Sequence, residues 1–171
     1  MTQQFAKFPE IEDYVLVLVG TRDDAAAVLV GSAIVDRAMI DLLDSNMPHR
    51  TKRIDPLMFD GLPLSLGVTA KWAYALGLID RGIYYACGQV QKIRNNAAHL
   101  KSGPKLVLAT SPEKECIEKG IQSLGSIQDN VDLYIEMYED LDLEGHRVLF
   151  DYLVTSLASN IENQRIALSK T

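Results

Sequence analysis

The chain of 171 residues and 19.0 kDa has the length of one domain around one buried core and is too short for two catalytic domains. With 47% hydrophobic and 23% charged residues it has an ordinary globular balance, which excludes wholesale disorder and low complexity. A formal net charge of −6 and a pI near 5.0 exclude nucleic-acid binding by bulk charge, leaving only a local basic patch.

Cys87 and Cys116 are the two cysteines, and neither stands in a CxxC pair or at ligand spacing from a histidine. A disulfide framework and a zinc site are therefore not expected, and no metal or cofactor is called for. The start, Met1 to Glu10, lacks the basic residues and apolar run of a secretory signal. Charges interrupt every apolar stretch before the roughly 18 to 20 residues of a membrane span. The expectation is a single all-helical domain over 1–171, located in the cytoplasm.

In chain order, the first element covers about Pro9 to Val19. Its run Tyr14-Val-Leu-Val-Leu-Val19 is rich in β-branched residues and fits helix or strand; helix is favoured because nothing nearby offers a pairing partner. Thr21 or Asp23 can cap a long helix over about Asp23 to Ser45. Its apolar positions cover most of the circumference and leave a narrow charged stripe of Arg37, Asp41 and Asp44, so it should be central with several neighbours. Residues 46–63 hold three prolines, Gly61 and the cluster His49-Arg50-Thr51-Lys52-Arg53, and read as a long connection. Arg50, Lys52 and Arg53 are either solvated or contacts for a partner or an anion.

A helix follows over about Ser65 to Leu78, with Gly77 near its end, and then one over about Arg81 to Lys101, capped by Asp80 and stopped by Gly103-Pro104. Ser111-Pro112-Glu113 begins a further helix, with proline at a helix start and an acid in the first turn. The remaining helices are placed at about 112–124, 127–139 and 145–168. The fold class is all-α, an up-and-down helical bundle with additional C-terminal helices.

The chemistry concentrates in the 81–101 helix. Ile83, Cys87, Val90, Ile93 and Ala97 form one apolar stripe at helical spacing, and Arg94 falls within it. A guanidinium keeps its charge, so burial there demands a carboxylate or carbonyl partner, or else an opening to solvent; Asp41 and Asp44 on the long central helix are the candidate partners. Asn95 and His99, four apart, share a face, so Asn95 can orient the imidazole or sit beside it on a ligand. His99 falls in the last turn, where the macrodipole favours a cation and suits a proton donor. Arg94 and His99 stand about 140° apart on an ideal helix and converge only through a distorted last turn or a second subunit. Two readings stay open: these residues pair with neighbouring helices and cap carbonyls, or they form a site. Trp72, Tyr74, Tyr84 and Tyr85 read as core or interface packing.

The string Leu66-Gly67, then Ala73-Tyr74-Ala75-Leu76-Gly77-Leu78-Ile79, then Ile93-Arg94-Asn95-Asn96-Ala97-Ala98-His99, following a long apolar helix, resembles the mannitol operon repressor family. The resemblance spans about 23–99, and the chain departs from it at Ala97, where the family tends to carry an aromatic residue. It implies a cytoplasmic, all-helical regulator of sugar-alcohol uptake operons. No helix-turn-helix with a basic face, basic zipper or zinc finger is found, so direct operator binding is not expected. Repression would then work through another transcription regulator or a sugar-uptake protein, with the chain acting as a homo-oligomer such as a dimer. The same residues from Arg94 to His99 also match the R-x4-H signature of HEPN-type proteins. That resemblance implies the alternative, a metal-independent endoribonuclease or toxin in which Arg94 holds the scissile phosphate, His99 moves a proton and Asn95 orients either group.

Overall fold

The computed structural model describes residues 21, 23–46, 65–99, 108–125, 136 and 145–169. Apart from the single helical residue Glu136, five helices account for their regular structure, with no strand among the described residues: α1 (Asp24–Asn46), α2 (Leu66–Ala75), α3 (Arg81–Ala98), α4 (Glu113–Ser123) and α5 (Gly145–Leu168). The run at 14–19, the cluster with Arg50, Lys52 and Arg53, and the helix expected at 127–139, apart from the helical Glu136, lie outside the described residues.

Each helix begins or ends where the local chemistry dictates. The Asp23 carboxylate accepts from the Ala26 amide at 2.8 Å and so caps α1. Asp80 caps α3 in the same way, accepting from the Ile83 amide at 2.9 Å. The chain leaves α2 through Gly77, whose φ of 72° is the left-handed conformation that glycine adopts without a Cβ penalty. α3 closes at Ala98 with His99 as its C-cap, earlier than the expected end at Lys101.

Packing makes an all-α bundle in which α1 lies against α2, α3 and α5, and α3 lies against α1, α2, α4 and α5. The central position expected for α1 is thus observed. Met39, Leu42 and Leu43 of α1, Leu66 of α2, Ile93 of α3, Ile117 of α4 and Phe150, Leu153 and Leu157 of α5 are sealed from solvent in one core. Burying side chains of this size stabilises the fold by roughly 1.5–3 kcal/mol each, before the entropy of ordering them is subtracted. Close approach of α1 and α5 depends on Gly31, where a Cβ would lie 3.0 Å from both the Phe150 ring and the Val154 side chain. Among the described residues no helix is long and apolar enough to cross a membrane.

Candidate functional site

The apolar stripe of α3 is buried as its spacing requires: Ile83, Cys87, Val90, Ile93 and Ala97 all face the core. This fixes the rotation of the helix and therefore the direction of every polar group on it. Arg94 sits at the edge of the stripe, towards α1, with 38% of its side chain exposed. Its Nη1 lies 3.2 Å from Oδ2 of Asp36, whose side chain is 20% exposed.

The counter-ion expected at Asp41 or Asp44 is therefore Asp36. On an ideal helix Asp41 stands about 140° round from Asp36 and Asp44 about 12 Å further along the axis, so neither shares the place from which Asp36 meets α3. Asp41 instead accepts from Arg37 Nε at 3.0 Å on the outer side of α1. Burial raises the carboxyl pKa of Asp36 above its ordinary value, and the Arg94 charge acts in the opposite direction. Among the described residues Asp36 Oδ1, which is buried, has no hydrogen-bond partner. The same carboxylate bears on Cys87, whose thiol is pushed up to about 12 by burial first and by Asp36 second. A thiol held protonated in this way is not a nucleophile at physiological pH.

Asn95 and His99 are both exposed. The His99 amide donates to the Asn95 carbonyl at 3.1 Å, closing the helix. The two side chains lie on the side of α3 that also carries Arg81, Tyr85, Gly88 and Lys92, about 100° or more round from Arg94. Within one subunit Arg94 is thus directed to Asp36 and His99 to solvent. The neighbouring Asn96 serves the fold, because its Nδ2 donates to Oε1 of the fully buried Glu113 at 3.1 Å and so ties α3 to α4.

Trp72, Tyr74 and Tyr85, expected as core or interface packing, are exposed and take no part in the core of this subunit. Tyr74 and Tyr84 stack across α2 and α3 with ring centroids 5.0 Å apart, and Tyr84 meets Tyr85 edge-on at 6.2 Å. The Arg81 guanidinium lies 5.3 Å from the Tyr85 ring centroid and holds the phenol below its usual pKa through a hydrogen bond. On α2, Val68, Trp72 and Leu76 follow each other at four-residue spacing and are 40%, 48% and 58% exposed, an apolar row that the described residues do not cover.

A second ionic cluster lies outside the residues that the sequence singles out. Arg147 and Asp151, one turn apart on α5, are 2% and 0% exposed, with Nε to Oδ1 at 3.1 Å. Asp24 joins them at 3.9 Å from Arg147 and accepts from the Leu108 amide at 3.1 Å. The cluster fastens the start of α5, the start of α1 and the segment before α4. The signal for it is Asp151 itself, a carboxylate inside the run Val148-Leu-Phe-Asp-Tyr-Leu-Val154 with an arginine four residues earlier. Among the described residues no group of three or more His, Cys, Asp or Glu could hold a metal ion. Comparison with models of protein families, with curated proteins and with solved structures finds no match.

Proposed function

We propose that this chain is a non-enzymatic transcriptional regulator, of the kind the mannitol-repressor resemblance implies, that acts by binding another protein. The observation that supports this reading is the apolar row Val68, Trp72 and Leu76 together with exposed Tyr85 on the adjoining helix. Large side chains left in water are a cost that a binding partner removes, and Trp and Tyr are the residues that most often anchor protein contacts. The partner class is another transcription regulator or a protein of sugar-alcohol uptake, and direct operator contact has no part in it.

A reporter fused to the sugar-alcohol uptake operon of the source cell tests the reading. Removal of the gene should raise expression, the wild-type chain should restore repression, and a Trp72→Ala, Leu76→Ser double variant should remain folded without restoring it. Expression that is indifferent to the gene would overturn the proposal.

The alternative, a metal-independent endoribonuclease using Arg94, Asn95 and His99, draws on one observation: all three retain solvent exposure on a helix without carboxylates. Against it, the Arg94 guanidinium already has an anionic partner in Asp36, which a phosphate would have to displace.

A further inference from the structure

The buried ionic cluster on α5 stands where three parts of the chain meet. Arg147 and Asp151 belong to the first two turns of α5, Asp24 is the first residue of α1, and Leu108 lies in the segment that leads into α4. Leu108 is itself 1% exposed, and five residues later the fully buried Glu113 accepts from Asn96 of α3. The stretch from Leu108 to Glu113 is thus pinned at both ends, by Asp24 of α1 and by Asn96 of α3.

Inside the cluster two carboxylates from different helices face one guanidinium. Asp151 holds it closely, with its two oxygens 3.1 and 3.2 Å from Arg147 Nε. Asp24 Oδ1 stands 3.9 Å from Arg147 Nη1, an ionic contact too long for a hydrogen bond, while its Oδ2 accepts from the Leu108 amide at 3.1 Å. Two acids beside one buried cation favour the uptake of a proton, and the more deeply buried acid is the one to take it. That acid is Asp151, with none of its side chain exposed against 21% for Asp24. Burial raises the Asp151 carboxyl to about 6, with Arg147 opposing the rise and Asp24 adding to it. α5 packs against α1, α3 and α4, and among the described residues of α3 and α4 no charged group bears on Asp151. Once neutral, Asp151 competes less for the cation, and a movement of about 1 Å brings Arg147 within charge-assisted hydrogen-bond distance of Asp24.

We propose that this junction is a proton-operated latch: a proton on Asp151 releases Arg147 to Asp24, and Asp24, so held, tightens on the Leu108 amide and fastens the segment before α4. The proton is taken from solvent, and no other bond to hydrogen is made or broken. Because the two events are linked, the coupling is reciprocal, and whatever holds the Leu108 segment against α1 also favours the proton on Asp151. The latch tightens on acidification and loosens as pH rises, and it does not depend on the regulator reading.

The test is hydrogen exchange of single amides in the full chain, followed by NMR from pH 5 to pH 7.5, with each rate divided by that of the unfolded amide at the same pH. Ile83, whose amide donates to the Asp80 side chain at the start of α3, makes the same kind of bond away from the junction and is the control. Protection of Leu108 should rise about threefold on acidification, with the midpoint of the Asp151 carboxyl resonance, while Ile83 stays level. Asp151→Asn, which imitates the neutral acid, should keep Leu108 at the higher protection across the range. Asp24→Asn should lower that protection and remove its dependence on pH. Should a variant fail to fold, the wild-type profile decides alone: Leu108 protection that is flat, falls on acidification or moves in step with Ile83 would overturn the proposal. A folded Asp151→Asn or Asp24→Asn chain that keeps the wild-type step would overturn it as well.

Discussion

Arg94 on α3 and Asp36 on α1 are joined at 3.2 Å, an ion pair between two helices whose residues stand 58 positions apart in the chain. The pair closes the polar edge of the seam between α1 and α3, beside the buried Cys87. It gives Arg94 a role in the fold that the R-x4-H spacing alone does not disclose.

Arg94→Ala should destabilise the protein by about 1 kcal/mol at neutral pH, because Asp36 keeps partial access to water and the pair is screened. With its cation gone, Asp36 should take up a proton more readily, so the loss should shrink on acidification. Urea unfolding of wild type and variant at pH 7 and pH 4 measures both effects. A loss that grows at pH 4 would contradict the assignment of Asp36 as the partner.

Asp151 carries a stability dependence of definite sign. Burial raises its pKa from 3.8 to about 6, with Arg147 acting in the lowering direction and Asp24 adding to the rise. Between those values the folded chain holds a proton that the unfolded chain has released, so this group's contribution is greatest at low pH and is lost as pH rises towards 6. The change amounts to roughly 3 kcal/mol. Asp151→Asn should remove that component from the dependence of the urea midpoint on pH. Parallel pH profiles for wild type and variant would count against it.

The same buried pair distinguishes breaking from replacing. Asp151→Ala leaves Arg147 buried without its nearest carboxylate and should cost about 3–5 kcal/mol, whereas Arg147→Met combined with Asp151→Leu should be close to neutral. Thermal unfolding of the single and double variants decides it, and a double variant as unstable as the single one would show that the ions themselves hold α5 in place.

His99→Ala should change stability by less than about 0.5 kcal/mol, since the residue is exposed and its backbone, not its ring, caps α3. A fall in melting temperature comparable to that of a core truncation would mean that the imidazole has a structural partner.

Much of the fold is legible in the sequence because apolar periodicity and caps agree. The 145–168 helix has the bounds that its pattern predicts, Asp80 caps α3, and the five positions of the α3 stripe are all buried. What the pattern cannot supply is which polar residues meet across helices. Arg94 announces a need for a counter-ion, yet Asp36 stands about 100° round α1 from Arg37, off the visible charged stripe of Arg37, Asp41 and Asp44. Arg147 and Asp151 are hidden for a related reason: an i, i+4 pair is ordinarily a surface feature, and only packing shows that this one is buried. Aromatic spacing misleads in the opposite direction. Trp72 and Tyr85 have the bulk of core residues, and their exposure follows from the small Ala70, Ala73 and Ala86 taking the inward places.

On the regulator proposal, Arg94 and His99 have no catalytic role. The decisive experiment is incubation of the purified protein with mixed single-stranded and transfer RNA, with and without chelator, beside the Arg94→Ala and His99→Ala variants. The RNA should stay intact with folded wild-type protein; chelator-resistant cleavage abolished by both substitutions would refute the regulator reading and make the chain a ribonuclease.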